Sequence, residues 1–282
     1  MIEKAVTDFR LSITRALRDQ LVEALTPLRP APLTHSNIES IQSRSGVYVL
    51  YLNGQRVYVG KASTSLQDRL SQHLRKISGR EGLRSASVEF VCAYIEEDLD
   101  AAAPERLLIK VYKKDGAVPW NTNGFGNKDP GRNRDHTLVK RAHFDATYPI
   151  NLDHEIDFPQ ATWDMLSLLK TTKQLLPYNF RYGDKGHSSL LKELTLELPS
   201  PPITTRSLIE NIIATLPHGW QATALPGYVI LYKETDDNYH SALAWWRRSI
   251  DGRVVKTDGP RTFASGQVKA DDEPDDDDET DD

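Results

Sequence analysis

Cysteine is almost missing from this chain: Cys92 is the only one in 282 residues. A lone thiol excludes an intrachain disulfide framework and any zinc site built on cysteine pairs. Long apolar runs are missing too, and no stretch approaches the roughly 18 apolar residues that a membrane span needs. The opening MIEKAVTDFRL carries charge early and has no signal-type apolar region, so a cytoplasmic protein without membrane contact is expected. No internal repeat is visible, and Gly124-Phe125-Gly126 lacks the Gly-Lys-Ser/Thr of a phosphate-cradling loop. Basic residues are absent from one place that distorts the charge balance: residues 271–282 hold ten acids and no base. The formal net charge is −5, yet without that run 35 Lys and Arg face 30 acids, so the body is mildly basic. Such a balance permits polyanion binding without demanding it.

What is present centres on residues 46–61, GVYVLYLNGQRVYVGK. Two arms rich in β-branched and aromatic residues, 47–52 and 55–59, flank Asn53-Gly54. That dipeptide best tolerates the paired positive φ angles of a type I′ turn, so a hairpin is predicted. Upstream, residues 3–26 have the spacing of an amphipathic helix stopped by Pro27, Pro30 and Pro32, and residues 33–45 are polar. Downstream, Ser65 and Asp68 stand at capping-box spacing before a helix from Leu66 to about Lys76. Leu66, Leu70 and Leu74 mark its buried side; Arg69 and His73, four apart, share a neighbouring face and on their own read as its wet flank. A strand at 87–95, an acidic lead-in from Glu96 to Asp100, and a helix from Pro104 with Glu105 in its first turn follow. A first-turn Glu ordinarily only complements the helix dipole. Residues 118–135 are too rich in Gly, Asn and charge for a helix or central strand and predict an irregular loop.

Beyond residue 160 the pattern predicts helices at 163–176 and 204–216 and strands at 228–233, 240–248 and 253–255. Trp245-Trp246-Arg247-Arg248 reads equally as a base-stacking cluster or as a strand alternating core and surface. The last residues have too little apolar content to fold. The expected class is α+β. It comprises an N-terminal helical arm (1–33), a central domain (34–158), an α+β accessory domain (159–265) and a disordered acidic tail (266–282) whose simplest role is solubility.

Gly46-Val47-Tyr48 and Tyr58-Val59-Gly60, at the two ends of the hairpin, resemble the signature of the GIY-YIG nuclease family, with Val for Ile in both halves. That family places an Arg on the helix after the second strand, a Glu on a later helix and an Asn beyond it; Arg69, Glu105 and Asn121 stand here in that order. The strings Tyr58 to Ala62, Arg69 with His73, Glu105 to Ile109, and Trp120-Asn121 followed by Gly124 to Gly131 are similar to the family's type II restriction endonuclease branch, of the CCGCGG-cutting type. The resemblance spans residues 46 to about 135 and implies a small mixed or antiparallel sheet flanked by helices.

It also implies a chemistry. Phosphodiester hydrolysis requires an activated water, a sink for phosphoryl charge and help for the leaving oxygen. Glu105 is a hard oxygen ligand suited to one Mg²⁺, for which Mn²⁺ can substitute. Arg69 can clamp the phosphate with a planar fork. Tyr48 is expected to orient or deprotonate the attacking water. Since a phenol near pKa 10 is a poor base at neutral pH, Lys61, Tyr58 and His73 are expected to lower its pKa or relay the proton. Asn121 is expected to bond the phosphate or to position a catalytic side chain. Arg75, Lys76, Lys128, Arg132 and Arg134, with Arg80 and Arg84, are candidates for reading guanines or contacting phosphates. The implied partners are double-stranded DNA, a second copy in a homodimer, and a companion methyltransferase. Rival readings are a structure-selective repair or mobile-element nuclease, and a non-catalytic DNA-binding module.

Overall fold

The computed structural model describes residues 12–95, 104–114, 118–126 and 131–265. The chain divides into two compact units, Met1–Leu74 with Ser85–Asn121, and Arg75–Arg84 with Thr122–Asp282. The segments expected as an acidic lead-in and a disordered tail, the first part of the N-terminal helix, and Lys128 lie outside the described residues.

In the first unit, helix α1 (Ile13–Leu25) starts at Ser12, whose hydroxyl accepts from the Arg15 N–H. Strand β1 (Ala31–Pro32) and a short helix α2 (His35–Glu39) follow, the latter within a stretch expected only to be polar. The hairpin then forms from β2 (Gly46–Leu52) and β3 (Gln55–Ala62). Asn53 at φ 51° and Gly54 at φ 77° give the turn its two positive angles, as the Asn-Gly pair predicts. Helix α3 (Leu66–Ser78) begins where the Asp68 N–H donates to the Ser65 hydroxyl, and its last turn belongs to the second unit. Strand β4 (Val88–Tyr94), helix α4 (Pro104–Lys114) and a short helix α5 (Pro119–Thr122) complete the unit.

The sheet runs β1-β4-β2-β3, antiparallel throughout, with β2 between its hairpin partner and β4. Alternation sorts its side chains. Val47, Val49, Val59 and Val91 pack against Leu17, Leu21 and Leu25 of α1 and Leu108 and Tyr112 of α4. Burying each such side chain is worth roughly 1.5–3 kcal/mol, which pins the register, because a slip of one residue would put every valine on the other face. That other face carries Tyr48 and Tyr58, toward α3, whose Leu66 and Leu70 are fully buried.

In the second unit α6 (Phe144–Thr147) and β5 (Glu155–Ile156) precede β6 (Thr162–Asp164), α7 (Met165–Leu175) and β7 (Asn179–Tyr182). Next come α8 (Ser188–Glu193), β8 (Thr195–Glu197), β9 (Ile203–Thr204) and α9 (Thr205–Thr215). Strands β10 (Gln221–Ala224), β11 (Tyr228–Tyr232), β12 (Ala244–Arg248) and β13 (Val254–Asp258) end the described chain. Five of these strands make a sheet in the order β13-β12-β10-β11-β7, with β7 parallel to β11. Leucines and isoleucines of α7 and α9 cover one face with Phe180, Val229, Leu231 and Trp246.

Three expectations are corrected. Residues 118–135 are not wholly irregular: Pro119 opens α5, and Arg132–Arg134 form a 3-10 turn. The strand expected from residue 240 begins at Ala244, because a turn closed by the Ala242 N–H on the Tyr239 carbonyl precedes it. Trp245 and Trp246 are core residues, 8% and 0% exposed, which removes them as a stacking platform. Arg247 donates to Gln221 Oε1 at 2.7 Å and Arg248 to the Leu216 carbonyl at 3.1 Å, so both heads serve the fold.

The sheet's second face is fastened by one carboxylate. Asp135, 3% exposed, accepts from Arg181 and from the Tyr228 hydroxyl at 2.8 Å, with the Tyr232 hydroxyl at 3.5 Å. A buried ion pair of this kind is costly to break from one side, because the desolvated partner stays behind. Asp135→Ala is expected to destabilise the second unit by about 3–5 kcal/mol. Chemical denaturation checks this, and a midpoint equal to wild type would contradict it.

Candidate active site

Register places the two tyrosines. Tyr48 pairs with Gly60 and Leu50 with Tyr58, so both phenols and the Gly60 Cα share the face toward α3. A Cβ at Gly60 would lie 2.2 Å from the Tyr48 hydroxyl, so only glycine leaves room for the ring that crosses it. His73, one turn beyond Arg69 on α3, completes the group. It is 5% exposed, and its Nε2 is 2.5 Å from the Tyr48 hydroxyl. The Tyr48–Tyr58, Tyr48–His73 and Tyr58–His73 centroids are 6.1, 5.4 and 5.5 Å apart. His73 is therefore no wet flank; it is buried with two aromatic rings against it.

Tyr48 has no exposed surface, and its phenol pKa is raised well above the usual value near 10. Burial is the main cause and the neighbouring Tyr58 adds to it; the Arg69 charge and its hydrogen bond pull the other way without prevailing. Tyr58 was expected to lower this pKa or to relay the proton; it raises the pKa, which overturns the first of these roles. Lys61 was expected to help, but it pairs in register with Val47, on the side of the sheet away from the tyrosines. The cation acting on Tyr48 is Arg69, half-buried on α3, which also reaches Gln72 Oε1 at 3.3 Å.

Glu105 occupies the first turn of α4 and is half-buried. Its Oε2 is buried and has no hydrogen-bond partner among the described residues. An orphaned carboxylate oxygen is expensive unless something charged or polar joins it. No group of three or more His, Cys, Asp and Glu is arranged around a metal position among the described residues. The orphaned Glu105 oxygen is of a chemistry that fits a hard cation held by one carboxylate, with waters and substrate oxygens completing its shell.

Asn121, on α5, has its whole amide engaged. Its Oδ1 accepts from the Val59 N–H and its Nδ2 donates to the Val59 carbonyl, both at 2.8 Å. β3 is an edge strand, and this side chain pairs with its open edge at the residue between Tyr58 and Gly60. Of the two roles expected for Asn121, this geometry favours positioning over phosphate contact.

The cations expected to touch DNA belong to the second unit. Arg75 donates to the Gln174 carbonyl and, at 2.7 Å, to that of Leu176, closing the end of α7. Lys76 donates to the Phe125 carbonyl at 2.5 Å and lies over the Phe125 and Phe144 rings. Arg80 is buried and paired with Asp145 at 2.9 Å. Arg84, Arg132 and Arg134 are exposed, Arg132 resting 4.4 Å above the Tyr232 ring. Sequence reasoning missed Asp135; its only signal was being the sole acid among the cations of 131–141.

Residues 44–118 match the GIY-YIG catalytic domain family. The match takes in β2, β3, α3, β4 and α4, and hence Tyr48, Tyr58, Lys61, Arg69, His73 and Glu105, but neither Asn121 nor Arg132 and Arg134. No curated protein matches the chain. Residues 44–118 are thus similar to a nuclease catalytic domain over about a quarter of the chain, and the two tyrosines, Arg69, His73 and Glu105 lie within that stretch. No helix among the described residues is long and apolar enough to cross a membrane.

Two measurements test this geometry. Because the Tyr48 pKa is raised on folding, the native state holds a proton that the unfolded chain releases near pH 10. Its stabilisation is complete below pH 10 and lost as pH climbs from there toward the folded value, by up to about 1.4 kcal/mol per pH unit. Tyr48→Phe should flatten the fall in denaturant midpoint between about pH 10 and 11; an unchanged slope would place the raised pKa elsewhere. Asn121→Ala should leave the Val59 amide unprotected in hydrogen exchange and cost about 1–3 kcal/mol. Full protection in the variant would dismiss the edge-pairing role.

Proposed function

We propose that this protein is a Mg²⁺-dependent endonuclease that hydrolyses phosphodiester bonds in double-stranded DNA, of the restriction type. It acts as a homodimer with one site per strand, beside a companion methyltransferase that protects the host. The observation that carries the nuclease reading is the Tyr48–His73 hydrogen bond beside Arg69, inside the matched domain. The restriction reading rests on the resemblance of the strings at Tyr58–Ala62, Arg69–His73, Glu105–Ile109 and Trp120–Gly131.

The raised Tyr48 pKa argues against a resident phenolate base and for a relay. As a water oxygen attacks phosphorus, its proton passes to the Tyr48 oxygen while Tyr48 gives its own to His73 Nε2. No isolated phenolate forms in a site that disfavours one. Such a relay requires His73 as the tautomer with the proton on Nδ1, leaving Nε2 as acceptor. Arg69 offers its guanidinium to the phosphoryl oxygens, where negative charge grows. Glu105 would hold the Mg²⁺, which would supply charge neutralisation for the phosphate and the departing 3′ oxygen. Asn121 and Gly60 act indirectly, by fixing β3 and leaving room for the Tyr48 ring.

With Mg²⁺ and a large DNA of known sequence, wild type should give discrete fragments. Glu105→Gln, which keeps the shape and removes the charge, should slow cleavage by about 10²–10³-fold, and chelation should stop it. A smear with the same dependence would replace the restriction reading by a structure-selective or non-specific nuclease. Undiminished cleavage by Glu105→Gln would remove Glu105 from the site.

A further inference from the structure

Residues 131–141 form a strap with an unusual division of charge. They contain Arg132, Arg134, Lys140 and Arg141 against a single acid, Asp135. That acid is turned inward and buried, while Arg132, Arg134 and Arg141 are exposed. Among the described residues no ion pair or side-chain hydrogen bond engages Arg134 or Arg141, and Arg132 meets Glu234 at 3.4 Å.

The strap is ordered along its length. The Arg134 N–H bonds the Gly131 carbonyl, the Asp135 N–H that of Arg132, and the Thr137 N–H that of Arg134. Further on, the Val139 N–H donates to Ser241 Oγ at 3.0 Å, and Arg141 and Val139 exchange backbone bonds with Ala264. Tyr232 ties anchor and cation together: its hydroxyl is 3.5 Å from Asp135 and its ring lies 4.4 Å beneath the Arg132 guanidinium.

We propose that this strap binds the DNA phosphate backbone without regard to sequence, and that Asp135 is a positioning residue that keeps its cations facing outward. The proposal rests on the reading that DNA is the substrate. Phosphate binding suits the geometry better than base reading, because a three-residue 3-10 turn offers neither the helix nor the two-stranded ribbon that enters a major groove. A cation pre-stacked on an aromatic ring also loses little freedom on meeting a phosphate. The charge separation does the rest: had Asp135 been exposed, it would repel the ligand its neighbours attract.

The test uses the full chain without divalent metal and two 30-base-pair duplexes of unrelated sequence, followed by fluorescence anisotropy at several salt concentrations. Arg134→Gln with Arg141→Gln should weaken binding to both duplexes by roughly tenfold or more, and make the log–log salt slope shallower by about 2, near 1 for each phosphate no longer neutralised. Asp135→Asn, assayed where circular dichroism shows it folded, should also weaken binding and flatten the slope. Tyr228→Phe provides a milder loosening of the same anchor. Unchanged affinity in the double variant overturns the proposal, as does a folded Asp135→Asn that binds like wild type. A loss confined to one duplex would assign base reading and overturn the phosphate mode, and so would a wild type that binds neither. A wild type that binds but never cleaves with Mg²⁺ would overturn the nuclease reading and leave the strap standing. Cleavage with unaltered binding by the variants does the reverse.

Discussion

The antiparallel pairing of β2 with β3 is the constraint on which the first unit depends. Because side chains alternate strictly along a strand, one register decides two surfaces at once. It sends Val47, Val49 and Val59 to the core beneath α1 and α4, and Tyr48, Tyr58 and the Gly60 gap to the opposite face. The valines make any other register costly, so the apolar side of the sheet enforces the geometry of the polar side. Stability and site are two readings of a single pairing.

That pairing leaves β3 at an edge, with backbone groups open to water or to a passing strand. The chain answers with a side chain rather than another strand. Asn121 presents one donor and one acceptor, spaced like a peptide group, to the Val59 amide and carbonyl. Asp135 does comparable work in the second unit, where a residue from an irregular segment gathers Arg181, Tyr228 and Tyr232 from the neighbouring strands. In both places a side chain from a short element or an irregular segment is held by the polar groups of regular structure.

Much of this was legible in sequence. Asn53-Gly54 between β-branched arms announced the hairpin, Ser65 with Asp68 announced the start of α3, and Pro104 the start of α4, since each signal is local and acts through its own backbone. In the second unit α7 and α9 and the strands β11, β12 and β13 followed from periodicity, whereas the short helices α6 and α8 and the strands β5 to β10 did not. Strands β7 and β10, four residues each, were too short to show a period, and their pairing is decided by contacts distant in sequence. The site was legible as a set of residues but not as a set of partners. Nothing local says that Tyr58 raises the Tyr48 pKa, that Lys61 falls on the far side of the sheet until the register is counted, or that Arg75 and Lys76 are held by carbonyls of Gln174, Leu176 and Phe125. Burial was the quantity sequence reasoning lacked most: Trp245, Trp246 and His73 were each compatible with a surface role until the packing around them was known.

On the proposed function, the electrostatics of Tyr48 favour one of two kinds of chemistry. A phenol becomes a standing base only if its surroundings favour the anion, which takes a dominant cation or several donors. Around Tyr48 the balance runs the other way, because complete burial and a second phenol outweigh one arginine. On that reading the hydroxyl serves as a conduit, since it holds a short hydrogen bond with an imidazole nitrogen that can take the proton. A proton arriving at Tyr48 therefore has somewhere to go, whereas a charge arriving there does not. Arg69 acts on the phenol; on the proposed reading its permanently charged guanidinium would serve a phosphate as well, at any working pH. The arrangement favours concerted transfer through a neutral tyrosine over abstraction by a charged one.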